Sequence, residues 1–200
     1  MKPFLKLISS GLLTICGFMI ITSFSVAHLS ETEKGLGGDP KNSTDTFPVP
    51  AGNKNMLFYV QRTHNINTIV YELNYINDST LNTSSPVHPY WIRYADNGET
   101  KELSYIQNQY AYGINAKLVD KEKQTFKVNF VSYKKKDIYL IRSATDKKYY
   151  AYMNINEKLS RLEKIFARIE GGTFWVPHIT YVEITGKDLN GKTVSEKIIP

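Results

Sequence analysis

The stretch KLSRLEKIFARIEGG, Lys158 to Gly172, decides the fold class. Leu159, Leu162, Ile165, Phe166 and Ile169 fit one stripe of a helical period, which an amphipathic helix would show. The sequence around it argues the other way. Upstream lie MLFYVQR, TIVYELNY, YAYGINAKLV, TFKVNFVSY, DIYLIRS and KYYAYMNI, short runs rich in Tyr, Phe, Val and Ile. Downstream, HITYVEITGKDLNGKTVSEKIIP reads as a hairpin turning near Asn190 and Gly191. The links between runs, such as DKEKQ, KKK and ATDK, are too short for crossovers and favour antiparallel neighbours. An all-strand neighbourhood offers the ambiguous stretch pairing partners, so a strand is expected within Glu163 to Glu170. The fold class read from this is mainly β: an antiparallel meander forming a sandwich or partly open barrel, with at most one short helix.

The N-terminus speaks to compartment. Lys2 and Lys6 precede an apolar run from Leu7 to Ala27 that closes on Ser25, Val26 and Ala27, the pattern of a signal peptide, residues 1–27, cleaved after Ala27. Two alternatives are an uncleaved anchor, since a membrane helix needs about 20 residues, and acylation of Cys16 within LTICG, where Ile15 stands in place of the small residue a lipobox wants. All three place the folded part outside the cytoplasm, secreted or periplasmic at the cell envelope. Membrane contact is expected only through an uncleaved or lipidated N-terminus.

Residues 28–52, HLSETEKGLGGDPKNSTDTFPVPAG, show no apolar periodicity and read as a flexible linker. Residues 53–200 then form a single β-rich domain, long enough to bury a core of its own. Cys16 is the only cysteine, so the domain has no thiol with which to form a disulfide, bind metal or attack a substrate. Removing Lys2 and Lys6 leaves 23 basic against 19 acidic residues, a net charge of +4. The one basic cluster, Lys134 to Lys136 beside Asp137, sits between two strand-like runs and reads as a solvated turn, so nucleic acid is not an expected partner.

The densest recognition-type sequence is PVHPYWIRYADNGETKELSYIQ, Pro86 to Gln107. Asn97-Gly98 predicts a two-residue hairpin loop. That register sets Arg93 against Glu102, Ile92 against Leu103, Tyr90 against Tyr105 and Trp91 against Ser104. A three-residue loop would oppose Arg93 to Lys101, a like-charge pair. The expected core face carries Tyr90, Ile92, Leu103 and Tyr105, leaving Trp91 and Arg93 on the polar face as a candidate binding patch.

The blocks NTIVYELNY (67–75), PVHPYWIRY (86–94), ELSYIQNQYAYG (102–113) and GGTFWVPHITYVEITG (171–186) together resemble the domain of unknown function 4833. The resemblance spans most of residues 53–200. It implies secreted bacterial proteins with a strand-rich domain, and it carries no catalytic residues with it.

Motifs for catalysis are wanting: there is no G-x-S-x-G, H-E-x-x-H, phosphate loop or C-x-x-C. His64, His88 and His178 lack the spacing that places two ligands on one face, so neither a metal nor another cofactor is expected. NST, NDS and NTS match glycosylation acceptors, which matter only in a eukaryotic secretory route. The positive signal is aromatic, since all 14 Tyr lie beyond Ala27 together with Trp91 and Trp175. Trp175, between a Gly pair and Pro177, is a candidate for exposure. The expected function is non-catalytic binding of a carbohydrate, peptide or lipid-like small-molecule ligand. Trp91 and Trp175 would stack, Arg93 or Arg62 would fix a polar group, and His64, Glu72 and His178 are further candidates. The alternatives are an extracytoplasmic hydrolase using Glu72, Glu102 or a histidine, and a structural component of an envelope assembly that pairs through strand edges.

Overall fold

The computed structural model describes residues 47–77, 79–173 and 175–200. The segment read as a signal peptide and the linker up to residue 46 lie outside the described residues. Within them the chain runs β1 (Met56–Arg62), β2 (Asn65–Leu73), β3 (Tyr75–Asn77), β4 (Thr80–Leu81), β5 (Val87–Arg93), β6 (Glu99–Glu102), α1 (Tyr105–Tyr110), β7 (Ile114–Asp120), β8 (Thr125–Phe130), β9 (Ile138–Arg142), β10 (Tyr149–Ile155), β11 (Lys158–Gly172), β12 (Pro177–Asp188) and β13 (Thr193–Ile198). Among the described residues the fold is mainly β, with one short helix and a 3₁₀ turn at Tyr94–Asp96.

The ambiguous stretch is one strand of 15 residues. Ser160 and Leu162 reach the core by ordinary alternation, and a bulge against β12 between Leu162 and Lys164 then shifts the phase so that Ile165 is buried as well. A bulge inserts one residue and turns a step of two into a step of three. That step is what made the apolar spacing look helical.

β11 is also the spine of the sheet. Its first residues, Lys158 to Arg161, pair with β10, whereas Lys164 to Ala167 pair with β1, and β12 follows the other edge with β13 beyond it. Two wings therefore leave β11: β1-β2-β5-β6 and β10-β9-β8-β7. The open sheet curls so that the wings face each other. Phe58 and Tyr71 of the first wing stack with centroids 4.6 Å apart, and Phe130 of the second meets Tyr71 edge-on at 5.4 Å. Ile69, Trp91, Val128, Leu140, Met153 and Leu162 join the same core. The pairing of β1 with β11 is parallel, a departure from the antiparallel meander. It arises because β11 returns past β10 to meet the first strand of the domain.

The hairpin of β5 and β6 differs from its expected register. Arg93 faces Glu99, Ile92 faces Thr100, Trp91 faces Lys101 and Tyr90 faces Glu102. Asn97 and Gly98 do take positive φ, 57° and 79°. They close the 3₁₀ turn rather than forming a two-residue loop, with the Gly98 N–H donating to the Arg93 carbonyl at 3.0 Å. Arg93 pairs with Asp96 inside that turn at 2.5 Å, not with Glu102. The faces are exchanged accordingly: Trp91 is buried in the core, and Tyr90 and Ile92 lie on the outer face. Leu103 and Tyr105 leave the sheet altogether, because Ser104 and Gln107 form a capping box that starts α1.

Described residues before Asn53 also pack on the domain. The Phe47 ring packs edge-on against Phe166 at 5.3 Å, and Gln61 Nε2 donates to the Pro48 carbonyl at 2.7 Å. Residues 47–52, read as linker, thus lie on the outer face of the first wing.

Candidate functional site

Segment 49–55 runs along that outer face and leaves an open groove of about 790 Å³ between itself and the sheet. Val70, Tyr90, Ile92, Tyr94 and Thr100 line the sheet side. These positions follow from strand alternation: Val70 faces Tyr90 across β2 and β5, and Ile92 faces Thr100 across β5 and β6. Burial raises the titration of the Tyr90 and Tyr94 phenols above the ordinary tyrosine value, so both stay protonated at neutral pH.

One end of the groove is a polar network. Asn53 Nδ2 donates to Glu72 Oε2 at 2.5 Å and to the Tyr90 hydroxyl oxygen at 2.9 Å, while Asn53 Oδ1 accepts the Asn55 N–H at 2.8 Å. Since the Tyr90 oxygen accepts from Asn53, its own proton can donate into the groove. Behind Asn53, His88 lies between two carboxylates: Nδ1 is 3.3 Å from Glu72 Oε1 and Nε2 is 2.9 Å from Glu102 Oε2. Burial alone would lower the His88 pKa, but hydrogen bonds to Glu102 and Glu72, with their charges, outweigh it and raise it above the usual 6.5.

The seven sequence-derived candidates separate. Glu72 belongs to this network. Trp91 is in the core, its indole N–H donating to Gln107 Oε1 at 3.2 Å and its ring edge-on to Tyr112 at 5.5 Å. A side chain so placed cannot stack on an outer-face ligand. Arg93 holds the 3₁₀ turn through Asp96. Trp175 is exposed at the tip between β11 and β12, where it meets Tyr110 of α1 at 6.0 Å. His64, at φ 59°, is exposed in the turn between β1 and β2. His178 is exposed on β12, with Nδ1 2.9 Å from the Glu170 carbonyl. Arg62, at the end of β1, is half-buried, and its Nε has no hydrogen-bond partner among the described residues. Among those residues no group of three or more His, Cys, Asp or Glu is placed to hold a metal ion, and no helix is long and apolar enough to cross a membrane.

Sequence reasoning missed Asn53, His88, Tyr90 and Tyr94 as a set. The signal was there in the alternation of His88, Tyr90 and Ile92, which puts all three on one face. The assumed hairpin register assigned that face to the core.

An open, mainly β domain with a tyrosine-lined outer groove is the class this geometry defines. The chain belongs to the family described as Domain of unknown function (DUF4833), which it matches over residues 58–197. No curated protein and no solved structure matches it.

Proposed function

We propose that this domain is a non-catalytic binding module, acting at the cell envelope after export, and that its ligand is a carbohydrate held in the groove of Tyr90 and Tyr94. The observation that carries this reading is one site combining tyrosine rings with a fixed array of hydrogen-bonding groups. Sugars present apolar C–H faces and many hydroxyls, and such a site answers both. A lipid chain would favour an enclosed apolar cavity over an open groove. A peptide bound by strand addition would use a sheet edge, whereas this groove lies on a face. The export itself is supported by the N-terminal sequence of Lys2, Lys6 and the run to Ala27.

Binding is favoured over hydrolysis by the state of the two acids. A glycosidase needs one carboxyl group to give a proton and another to act as base or nucleophile at the sugar. Glu72 and Glu102 instead engage the same imidazole.

A glycan array probed with the purified domain tests the proposal. Wild type should retain a defined set of oligosaccharides uncleaved, and Tyr90→Ala with Tyr94→Ala should lose them while melting at nearly the same temperature. No retention above background on any glycan, or retention unchanged in the double variant, would overturn it.

A further inference from the structure

We infer that His88 is a proton-controlled latch: with both ring nitrogens protonated it ties β2 to β6 through Glu72 and Glu102 and, by way of Asn53, holds segment 49–55 over the groove. Nδ1 and Nε2 each face a carboxylate oxygen, at 3.3 and 2.9 Å. A neutral imidazole carries one N–H and one lone pair, so it can satisfy only one of the two carboxylates and turns its lone pair on the other. Only the imidazolium donates to both. The surroundings agree, since the titratable groups acting on His88 are Glu72 from β2 and Glu102 from β6. The Tyr90 ring lies beside it on its own strand, centroids 5.6 Å apart.

The latch reaches the groove through one carboxylate. Glu72 accepts from His88 with one oxygen and from Asn53 with the other, and Asn53 is itself part of the segment that walls the groove. Asn53 also holds the Tyr90 hydroxyl. When His88 loses a proton, one of its two carboxylate bonds is lost. If Nδ1 gives it up, Glu72 is repelled and its grip on Asn53 loosens. If Nε2 does, β6 is released from β5 at the His88 level. The sign follows from the raised pKa: while both carboxylates are ionised, the latch is present below the ordinary histidine value of about 6.5 and is lost as pH rises through the higher folded-state value.

This inference rests on the groove being the ligand site, but its first test needs no ligand. Two-dimensional NMR of the labelled domain follows the His88 ring protons and the amides of Gly52 to Asn55 against pH. The His88 midpoint should lie above 6.5, and those amides should shift with the same midpoint. In Glu102→Gln, which alters an exposed side chain, the His88 midpoint should fall. In His88→Gln the amide titration should vanish. A His88 midpoint at or below 6.5, or amides of 52–55 that do not follow it, would overturn the latch whether or not any glycan binds. With a glycan retained by the groove, affinity should drop by roughly 5-fold or more as pH rises through the midpoint, the lower end of ordinary coupling between linked sites. A pH-independent affinity in wild type would contradict the coupling while leaving the groove itself in place.

Discussion

Gln107 receives Trp91: the indole N–H of the core tryptophan donates to the Gln107 side-chain oxygen at 3.2 Å, and that same oxygen accepts the Ser104 backbone N–H at 3.0 Å. One amide therefore ends the sheet's first wing and begins its helix. Truncating Trp91 to Ala should cost roughly 3–5 kcal/mol, the range for a large core aromatic, whereas Gln107→Ala should cost about 1 kcal/mol for a cap and a hydrogen bond. Denaturant melts of both check this, and a Trp91→Ala protein as stable as wild type would contradict the burial.

The 3₁₀ turn gives a second expectation. Arg93 and Asp96 should show coupling of up to about 1 kcal/mol in a double-mutant cycle, as partly exposed pairs do. Arg93 and Glu102 should show none, because Glu102 faces Tyr90 and bonds His88. Coupling of the second pair and not the first would restore the register expected from the Asn-Gly turn.

Gly113 follows α1 and allows the chain to pass close under it. A Cβ at Gly113 would lie 1.8 Å from the Asn108 carbonyl oxygen, a contact that only backbone movement could relieve. Gly113→Ala should therefore destabilise the domain by roughly 3 kcal/mol or more, at the upper end of overpacking costs. An unchanged melting temperature would show that the helix end can shift freely.

The basic turn has a structural role with a pH signature. Lys136 pairs with Glu196 of β13 at 2.5 Å, and Glu196 also accepts the Asn156 N–H at 2.9 Å. Burial alone would raise the Glu196 pKa, but the bonds from Lys136 and Asn156 outweigh it, so the group titrates below the ordinary glutamate value of 4.5. A depressed folded-state pKa contributes stability that is present above the unfolded value and lost as pH falls through the folded one. Thermal melts between neutral pH and about pH 3 should thus fall less steeply for Glu196→Gln than for wild type. Parallel curves would remove this role.

The fold class was legible because period-two runs and short polar links constrain a chain this strongly, and because the final hairpin turns at Gly191, where φ is 80°. The site was far less so. Its location depends on which face of β5 looks inward, and an odd shift of hairpin register, such as the three-residue shift that moves the partner of Arg93 from Glu102 to Glu99, exchanges the faces. Asn97-Gly98 signalled positive φ correctly but could not say that a 3₁₀ turn would precede it. The S-x-x-Q of Ser104 and Gln107 was the available clue, since a capping box there ends the strand before Leu103 can pair. The contribution of segment 47–55 had no local signal at all. Its Pro and Gly content resembles a linker, and only the tertiary contacts of Phe47, Pro48 and Asn53 make it a wall of the groove.

The most direct test of the binding account is to map a retained oligosaccharide onto the labelled domain by NMR chemical-shift changes, in wild type and in Tyr90→Ala. The account predicts perturbations at Gly52 to Asn55, Val70, Tyr90 to Tyr94 and Thr100, and their loss in the variant. Perturbations confined to the α1 and Trp175 tip, or spread over the core-facing strands with the groove silent, would contradict it.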